Sequence, residues 1–336
     1  MFSLIMMIEV KNKIGIPKYK QIISSIEEAI KSGTIKKGDQ IPSINNVKDN
    51  FKLSRDTVLM AFNELKNRGI IKSVVGKGYY VASEAIEVQQ KIFLLFDELN
   101  SFKEDLYNSF LEHLGDNIQV DIYFHHFNEH SFGKLIHENT GDYNSYIIMP
   151  ANLTNTGRVI GTLPSDKVYI LDQLHHDLQD YPAIYQNFEK AIFDNLNKVL
   201  YLIKKYNKLI LVFSEEKQPR AMREGFVNFC NQHNLSFEIL PSLKDKSLEK
   251  GELYITPDDK SLLRIIKRLK NQQFTLAKDI GVISYNDTLL KEIVEGGITT
   301  ISTDFNKMGQ RLAKMILNKE KLKVENPNKL IIRNSL

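Results

Sequence analysis

Between residues 17 and 81 the apolar positions recur three times at helical spacing and then shorten into strands. Ile22, Ile23, Ile26, Ala29 and Ile30 form one stripe behind Pro17, a residue tolerated in a first turn, and Gly33 is a fitting stop. GDQIPS (38–43) reads as a turn. Ser43 then caps a short helix whose Ile44, Val47 and Phe51 face inward. Ser54 caps a third helix, with Val58, Ala61, Phe62 and Leu65 as its stripe and Arg55, Asp56, Thr57, Met60 and Asn63 on the outer face or its edges. Gly69 ends it, and 70–75, the tip Gly76-Lys77-Gly78 and 79–81 make a two-stranded wing.

From residue 91 onward strand and helix patterns alternate. Strands are expected at 92–98, 118–127, 145–151, 168–172, 208–216, 236–241, 252–257 and 280–287. Helices are expected at 102–114, 129–138, 187–206, 221–233 and 261–270. Such alternation implies parallel sheets covered on both faces, and its length exceeds one small sheet, which favours two lobes. The expected fold class is an α+β winged helix-turn-helix N-terminal domain (1–83) and an α/β two-lobed C-terminal domain (91–336). The short polar stretch 84–90, without glycine, connects them.

Charge sharpens this division. The whole chain of 336 residues carries only +4, but residues 1–83 hold 14 Lys/Arg against 7 Asp/Glu, leaving 31 against 34 for the rest. A basic head on a mildly acidic body fits a nucleic-acid module joined to something else. Apolar residues at 42% and charged residues at 26% exclude a disordered or collagen-like chain. No run approaches the roughly 18 apolar residues of a membrane helix, and the opening FSLIMMI lacks the basic region and cleavage site of a secretory leader. A cytoplasmic protein is expected, with no membrane partner. The same opening precedes Met7, so residues 1–6 read either as a short extra strand or as a mis-assigned start.

Two short helices joined through Lys52, Leu53 and Ser54 form a helix-turn-helix pattern, whose second helix can enter the major groove of double-stranded DNA. Arg55, at the start of that helix, suits the O6/N7 acceptors of guanine. Ser43 and Ser54 cap helices whose free N–H groups can hold phosphates. Lys77 at the wing tip can approach the backbone or the minor groove.

In open α/β sheets a ligand sits beyond the carboxyl ends of the strands, here between lobes. Those ends offer Asp97, Glu98, Asp172, Gln173, Ser214, Asn286 and Asp287, with Pro150 and Asn152, and the aromatic rings of Phe102, Phe127, Tyr185 and Tyr285 lie near the same edges. Carboxylates and amides bind hydroxyls while rings stack on C–H faces, a combination suited to a small sugar.

The run PKYKQI…GDQIPS…FKLSRDTVLMAFNEL…GII…GKGYYV resembles the DNA-binding domain of the GntR family of bacterial transcription regulators. That resemblance implies operator contacts by Ser43, Ser54, Arg55, Thr57, Lys77 and Gly78. Asn45 stands where the family usually has an arginine, two residues after the turn serine. LAKDIGVISYND, GGITTISTDFNKMGQRLAKMIL and the terminal LIIRNSL, with VYILDQ and SEE…RAMREGF, resemble the LacI/GalR-type effector domain, a periplasmic-binding-protein-like fold. This second resemblance implies a pocket with Asp172, Gln186 or Asn187, and Asn286. It also implies an arginine before the REGF turn, where this chain has Met222 between Arg220 and Arg223, either of which can substitute. Asn286, followed by Asp287, replaces the family's late-strand aspartate.

The two resemblances together imply a homodimeric, ligand-controlled regulator, a repressor of sugar-utilisation genes, that reads a two-fold operator. A sensor for a sugar phosphate or nucleoside is the alternative. An aminotransferase-like enzyme half would need a longer chain and a pyridoxal-phosphate lysine, so neither catalysis nor a cofactor is expected. His126 and His130 of HHFNEH (125–130) are four apart, but Asn128 reads as a helix cap between them, so exposed strand-end residues are expected there rather than metal ligands, and His175-His176 follow a strand end that a ligand could touch. Cys230, the single cysteine, lies on an inner helix stripe beside Phe226 and Phe229, as a buried inert thiol would.

Overall fold

A computed structural model describes residues 7–11, 15–84, 90–115, 118–244 and 246–336. The extra-strand or start-site question at residues 1–6, and most of the expected connector, lie outside the described residues.

The head contains α1 (Lys18–Lys31), β1 (Gln40–Ile41), α2 (Ile44–Phe51), α3 (Arg55–Asn67), β2 (Ile71–Val74) and β3 (Gly78–Val81). Its core is the set the periodicity selects: Ile22, Ile26, Val47, Val58, Ala61, Phe62 and Leu65 are fully buried. The stretch expected to be only a turn contributes a third wing strand, since Gln40 and Ile41 pair antiparallel with Tyr80 and Tyr79. Two residues are too few to show a period, and tertiary pairing decides their conformation.

The first lobe comprises β4 (Gln90–Phe96), α4 (Ser101–Glu112), β5 (Ile118–Phe124), α5 (Glu129–Glu138), β6 (Ser145–Ile148), α6 (Thr156–Ile160), β7 (Val168–Asp172) and β8 (Ala183–Tyr185). The second comprises α7 (Phe188–Lys198), α8 (Leu200–Ile203), β9 (Lys208–Val212), α9 (Arg220–Gln232), β10 (Phe237–Leu240), β11 (Glu252–Thr256), α10 (Asp259–Asn271), β12 (Ile280–Tyr285), α11 (Leu289–Ile293) and β13 (Thr299–Thr303). The chain then returns through α12 (Phe305–Leu317) and β14 (Lys323–Glu325) to the first lobe and ends with β15 (Asn328–Ile331) in the second.

Each lobe has a six-stranded sheet, ordered β14-β8-β7-β6-β4-β5 and β10-β9-β11-β12-β13-β15. All pairings are parallel except β15 on β13. The chain therefore passes between lobes three times, near Gln186, Asp304 and Pro327. α12 lies close on α4: a Cβ at Gly309 would stand 2.4 Å from the Leu106 carbonyl oxygen.

The expected single helix 187–206 is two. Val199 leaves helical geometry (φ −113°, ψ 18°) while its side chain stays buried, so core packing bends the chain there. Cys230 is buried in the second lobe's core, and burial pushes its thiol up to about 12.

The head rests on the first lobe through Lys20, which donates to the Thr140 carbonyl at 3.2 Å and pairs with Asp142 at 2.5 Å. Beside this contact a groove of about 660 Å³ is lined by Lys31, Arg68, Lys91 and Lys167 among others.

Candidate nucleic-acid interface and ligand cleft

The helix-turn-helix is built by two caps. Ser43 Oγ accepts from the Asn46 N–H at 3.2 Å and starts α2; Ser54 Oγ accepts from the Thr57 N–H at 3.2 Å and meets the Thr57 hydroxyl at 2.8 Å to start α3. Lys52, in the left-handed region at φ 52°, turns the chain between them. Arg55 is thus the first residue of α3 and is exposed, as are Ser43, Asn45, Ser54 and Lys77, with Thr57 half-buried. At the wing, Gly78 has φ 103°, a conformation glycine adopts at little cost, and its Cβ position lies 3.2 Å from the Gln40 amide that donates to Lys77 O at 2.8 Å. Asn45 is exposed on the first turn of α2, so an operator can reach it, but an amide there cannot supply the charge of a guanidinium.

The candidate ligand site is where the strands of both lobes end. Five residues at or just beyond strand ends carry positive φ without being glycine: His126 (50°), Phe127 (57°), Ala151 (51°), Asp172 (75°) and Asn286 (59°). The left-handed region is unfavourable for most side chains and mildest for Asn and Asp, so this clustering marks chain ends held in place by their surroundings.

Asp97 is buried; its carboxylate accepts from the Lys103 ammonium and, at 2.6 Å, from the Glu98 N–H. Asp172 is also buried, and Gln186 Nε2 donates to its Oδ1 at 2.5 Å. Gln186 Oε1 accepts from the Thr303 hydroxyl, so one chain of hydrogen bonds runs from the end of β7 to the end of β13, across the lobes. Burial pushes the Asp172 carboxyl up to about 6, against the pull of the Lys103 ammonium and with the help of the Asp97 charge. Tyr285 follows the same field: burial, then Asp172, raises its hydroxyl. The Tyr285 hydroxyl and Asn286 Oδ1 are both buried with no hydrogen-bond partner among the described residues. Lys291, buried on α11, donates to the Tyr285 and Asn286 carbonyls at 2.7 and 2.6 Å and pairs with Asp259 at 3.0 Å, which fixes this strand end.

The other expected residues divide by their engagement. Asp287 is held by Arg333, which donates to both carboxylate oxygens at 2.6 and 2.8 Å, and by the Thr300 hydroxyl at 3.0 Å. Burial pushes this carboxyl up, but those bonds outweigh it and hold it below the usual range. Asn187 caps α7 by accepting from the Lys190 N–H at 3.2 Å. Phe102 stacks at a tilt on Phe305, centroids 4.9 Å apart. Arg220 and Arg223 are exposed, Arg223 at 3.9 Å from Glu215, while Met222 between them is buried in the second lobe's core. His175 is engaged by the Ala151 carbonyl at 2.6 Å and the Thr156 hydroxyl at 3.3 Å.

At one rim the lobes touch. Lys217 pairs with Glu98 at 2.9 Å and lies 5.3 Å from the Phe127 ring, and Asn152 donates to the Glu215 and Gln218 carbonyls at 3.0 and 2.5 Å.

Participants not singled out from sequence include Lys103, Lys217, Lys291, Thr303 and Arg333. Lys103 sits three residues before Leu106 and seven before Phe110, so a lysine on a helix's buried face was the available signal.

A winged helix-turn-helix joined to a two-lobed α/β body defines a DNA-binding transcription regulator with a periplasmic-binding-protein-like body. Residues 18–81 match the bacterial regulatory proteins of the gntR family, and 201–336 match the periplasmic binding protein-like domain. Over 100 residues the chain is 31% identical to the HTH-type transcriptional repressor YtrA of Bacillus subtilis, a match covering 30% of this chain and 73% of YtrA. The chain belongs to the gntR family of bacterial transcription regulators. The mannosyl-D-glycerate transport/metabolism system repressor MngR of Escherichia coli is 38% identical over 27% of this chain and 35% of its own. The chain spans only 15% of another relative, YcxD of Bacillus subtilis, at 35% identity over 20% of its own length. The trehalose repressor of Escherichia coli shares the fold, with a TM-score of 0.61 over 72% of this chain and 100% of that one, at 14% identity. No helix among the described residues is long and apolar enough to cross a membrane.

Proposed function

We propose that the protein is a homodimeric repressor of sugar-utilisation genes whose operator binding is controlled by a small sugar in the inter-lobe cleft. Residues 1–83 read DNA, 84–90 connect and 91–336 sense the effector, in the cytoplasm and without catalysis or a cofactor. Arg55 reads a base edge, Ser43, Ser54, Thr57, Lys77 and Gly78 hold phosphates or the wing against the backbone, and Asn45 lies beside them. Asp97, Asp172, Gln186 and Asn286 form the polar floor of the cleft. Phe102, Asn187 and Asp287 shape its edges, and Arg220 or Arg223 meets ligand at the mouth.

The observation that carries this reading is the pair of buried, partnerless polar atoms on Tyr285 and Asn286 beside the Asp172–Gln186–Thr303 chain. Buried polar groups are costly without partners, and hydroxyls of a bound sugar would supply them. Relatives named as repressors of mannosyl-D-glycerate and arabinose metabolism support the functional class. A phosphorylated ligand is disfavoured, because its charge would face Asp97 and Asp172 with Lys103 already engaged.

Fluorescence anisotropy with a labelled fragment of the gene's own promoter tests the reading. Binding should weaken steeply as salt rises and should respond to a carbohydrate that also raises the melting temperature. No salt-sensitive binding at any carbohydrate concentration would overturn it.

A further inference from the structure

The floor of the cleft is short of positive charge. Asp97 and Asp172 are both buried there, and the ammonium of Lys103 is hydrogen-bonded to Asp97. Asp172 makes no ion pair with any described residue; its recorded side-chain partner is the neutral Gln186 amide. The neighbouring carboxylates are already compensated, Glu98 by Lys217 and Asp287 by Arg333.

Acceptors are among the leftover hydrogen-bonding groups. Asn286 Oδ1 can only accept, and it has no partner; the second oxygen of Asp172 can only accept when ionised. The Gln186 amide is engaged at both ends, its nitrogen on Asp172 and its oxygen on Thr303. The Tyr285 hydroxyl can give one proton or accept one. The buried Asp172 carboxylate, without an ion-pair partner among the described residues, therefore favours a ligand that carries a cation.

We propose that the effector is a carbohydrate bearing a protonated amine, with its ammonium against Asp172 and its hydroxyls on Asn286 and Tyr285. This deepens, and rests on, the reading of the cleft as the effector site. An ammonium has three donors and no acceptor, so it satisfies an acceptor-only pair without leaving a lone pair buried. It also restores the counter-charge that a buried carboxylate otherwise lacks. A neutral hydroxyl supplies a single donor at Asp172 and leaves the charge uncompensated. The upward displacement of the Asp172 carboxyl, caused chiefly by burial, agrees with a site that stands ready for a cation.

Isothermal titration of the full chain at pH 7 with matched pairs tests this: D-glucosamine and D-glucose, D-galactosamine and D-galactose, D-mannosamine and D-mannose. At least one amino sugar should bind roughly tenfold or more tightly than its neutral partner, the increment of one charge-assisted hydrogen bond. N-acetylation of that sugar should remove the advantage, and Asp172→Asn should shrink the ratio between the amino sugar and its neutral partner to about threefold or less. The wild-type comparison stands even if the variant folds poorly. Equal or tighter binding of every neutral partner overturns the charge inference and leaves the effector reading intact. Silent titrations throughout, in protein that still binds its promoter, overturn both this inference and the carbohydrate reading.

Discussion

Replacing Asp172 by asparagine should stabilise the ligand-free protein, although it removes a charge from the heart of the cleft. The side chain is buried, its backbone is in the left-handed region that asparagine tolerates well, and an asparagine Oδ1 can accept the Gln186 bond unchanged. Burial lifts this carboxyl from an ordinary 3.8 to about 6. At about 1.36 kcal/mol per pKa unit, keeping it ionised at pH 7 costs roughly 3 kcal/mol of folding stability. The folded pKa lies above the unfolded one, so the native state holds the proton more tightly and stability falls as pH rises through about 4 to 6.

Thermal unfolding of wild type and Asp172→Asn, followed by circular dichroism between pH 5 and pH 7.5, checks both the sign and the slope. The variant should melt several degrees higher at pH 7, and its advantage should narrow by roughly 1 kcal/mol on going to pH 5 as the wild-type carboxyl gains its proton. A variant that melts lower than wild type at pH 7, or a gap that does not change with pH, would refute the argument.

Other consequences can be measured separately. Arg55→Ala should weaken binding to the preferred operator by about 10- to 100-fold and relax preference at one base pair, with an unchanged circular dichroism spectrum. Lys77→Ala should weaken all sequences about equally and reduce the slope of log affinity against log salt by about one, as read by anisotropy titrations. Gly309→Ala would place a methyl 2.4 Å from the Leu106 carbonyl and 2.8 Å from the Phe110 nitrogen. It should therefore cost about 1–3 kcal/mol or more in denaturant unfolding by forcing α12 from α4. Asp142→Ala should cost under about 1 kcal/mol, because its partner contact is partly exposed, but should speed hydrogen exchange in α1 where the head rests on the first lobe.

The head was legible almost residue by residue, because its three helices announce themselves through caps and stripes that need no distant partner. Ser43 and Ser54 accept the cap bonds their positions imply, and Val58, Ala61, Phe62 and Leu65 are the buried face of α3. The alternating body also read correctly as parallel sheets, since fully buried strands such as 92–96 are continuous apolar runs. The pattern reading omitted β13 and α12, although α12 carries a local cap at Asp304 and an apolar stripe, and other omissions were set by long-range contacts. β1 and β8 are two and three residues long, too short for any period, and exist through pairing with β3 and β7. Strand ends supplied Asp97, Asp172 and Asn286, yet the link from Gln186 to Thr303 spans 117 positions and could not be seen locally. Lys103 was hidden because a lysine is ordinarily assigned to solvent. At Asp287, proximity to a strand end did not reveal that a C-terminal arginine, Arg333, engages the carboxylate.

The central claim is that cleft and head are energetically coupled, and a closed binding cycle tests it most directly. Effector affinity is measured by calorimetry with and without saturating promoter DNA, and DNA affinity by anisotropy with and without saturating effector. The account predicts that each ligand changes the other's affinity by the same factor, about 5- to 150-fold in either direction. An effector that binds the cleft with one affinity whether or not the head holds DNA would contradict it.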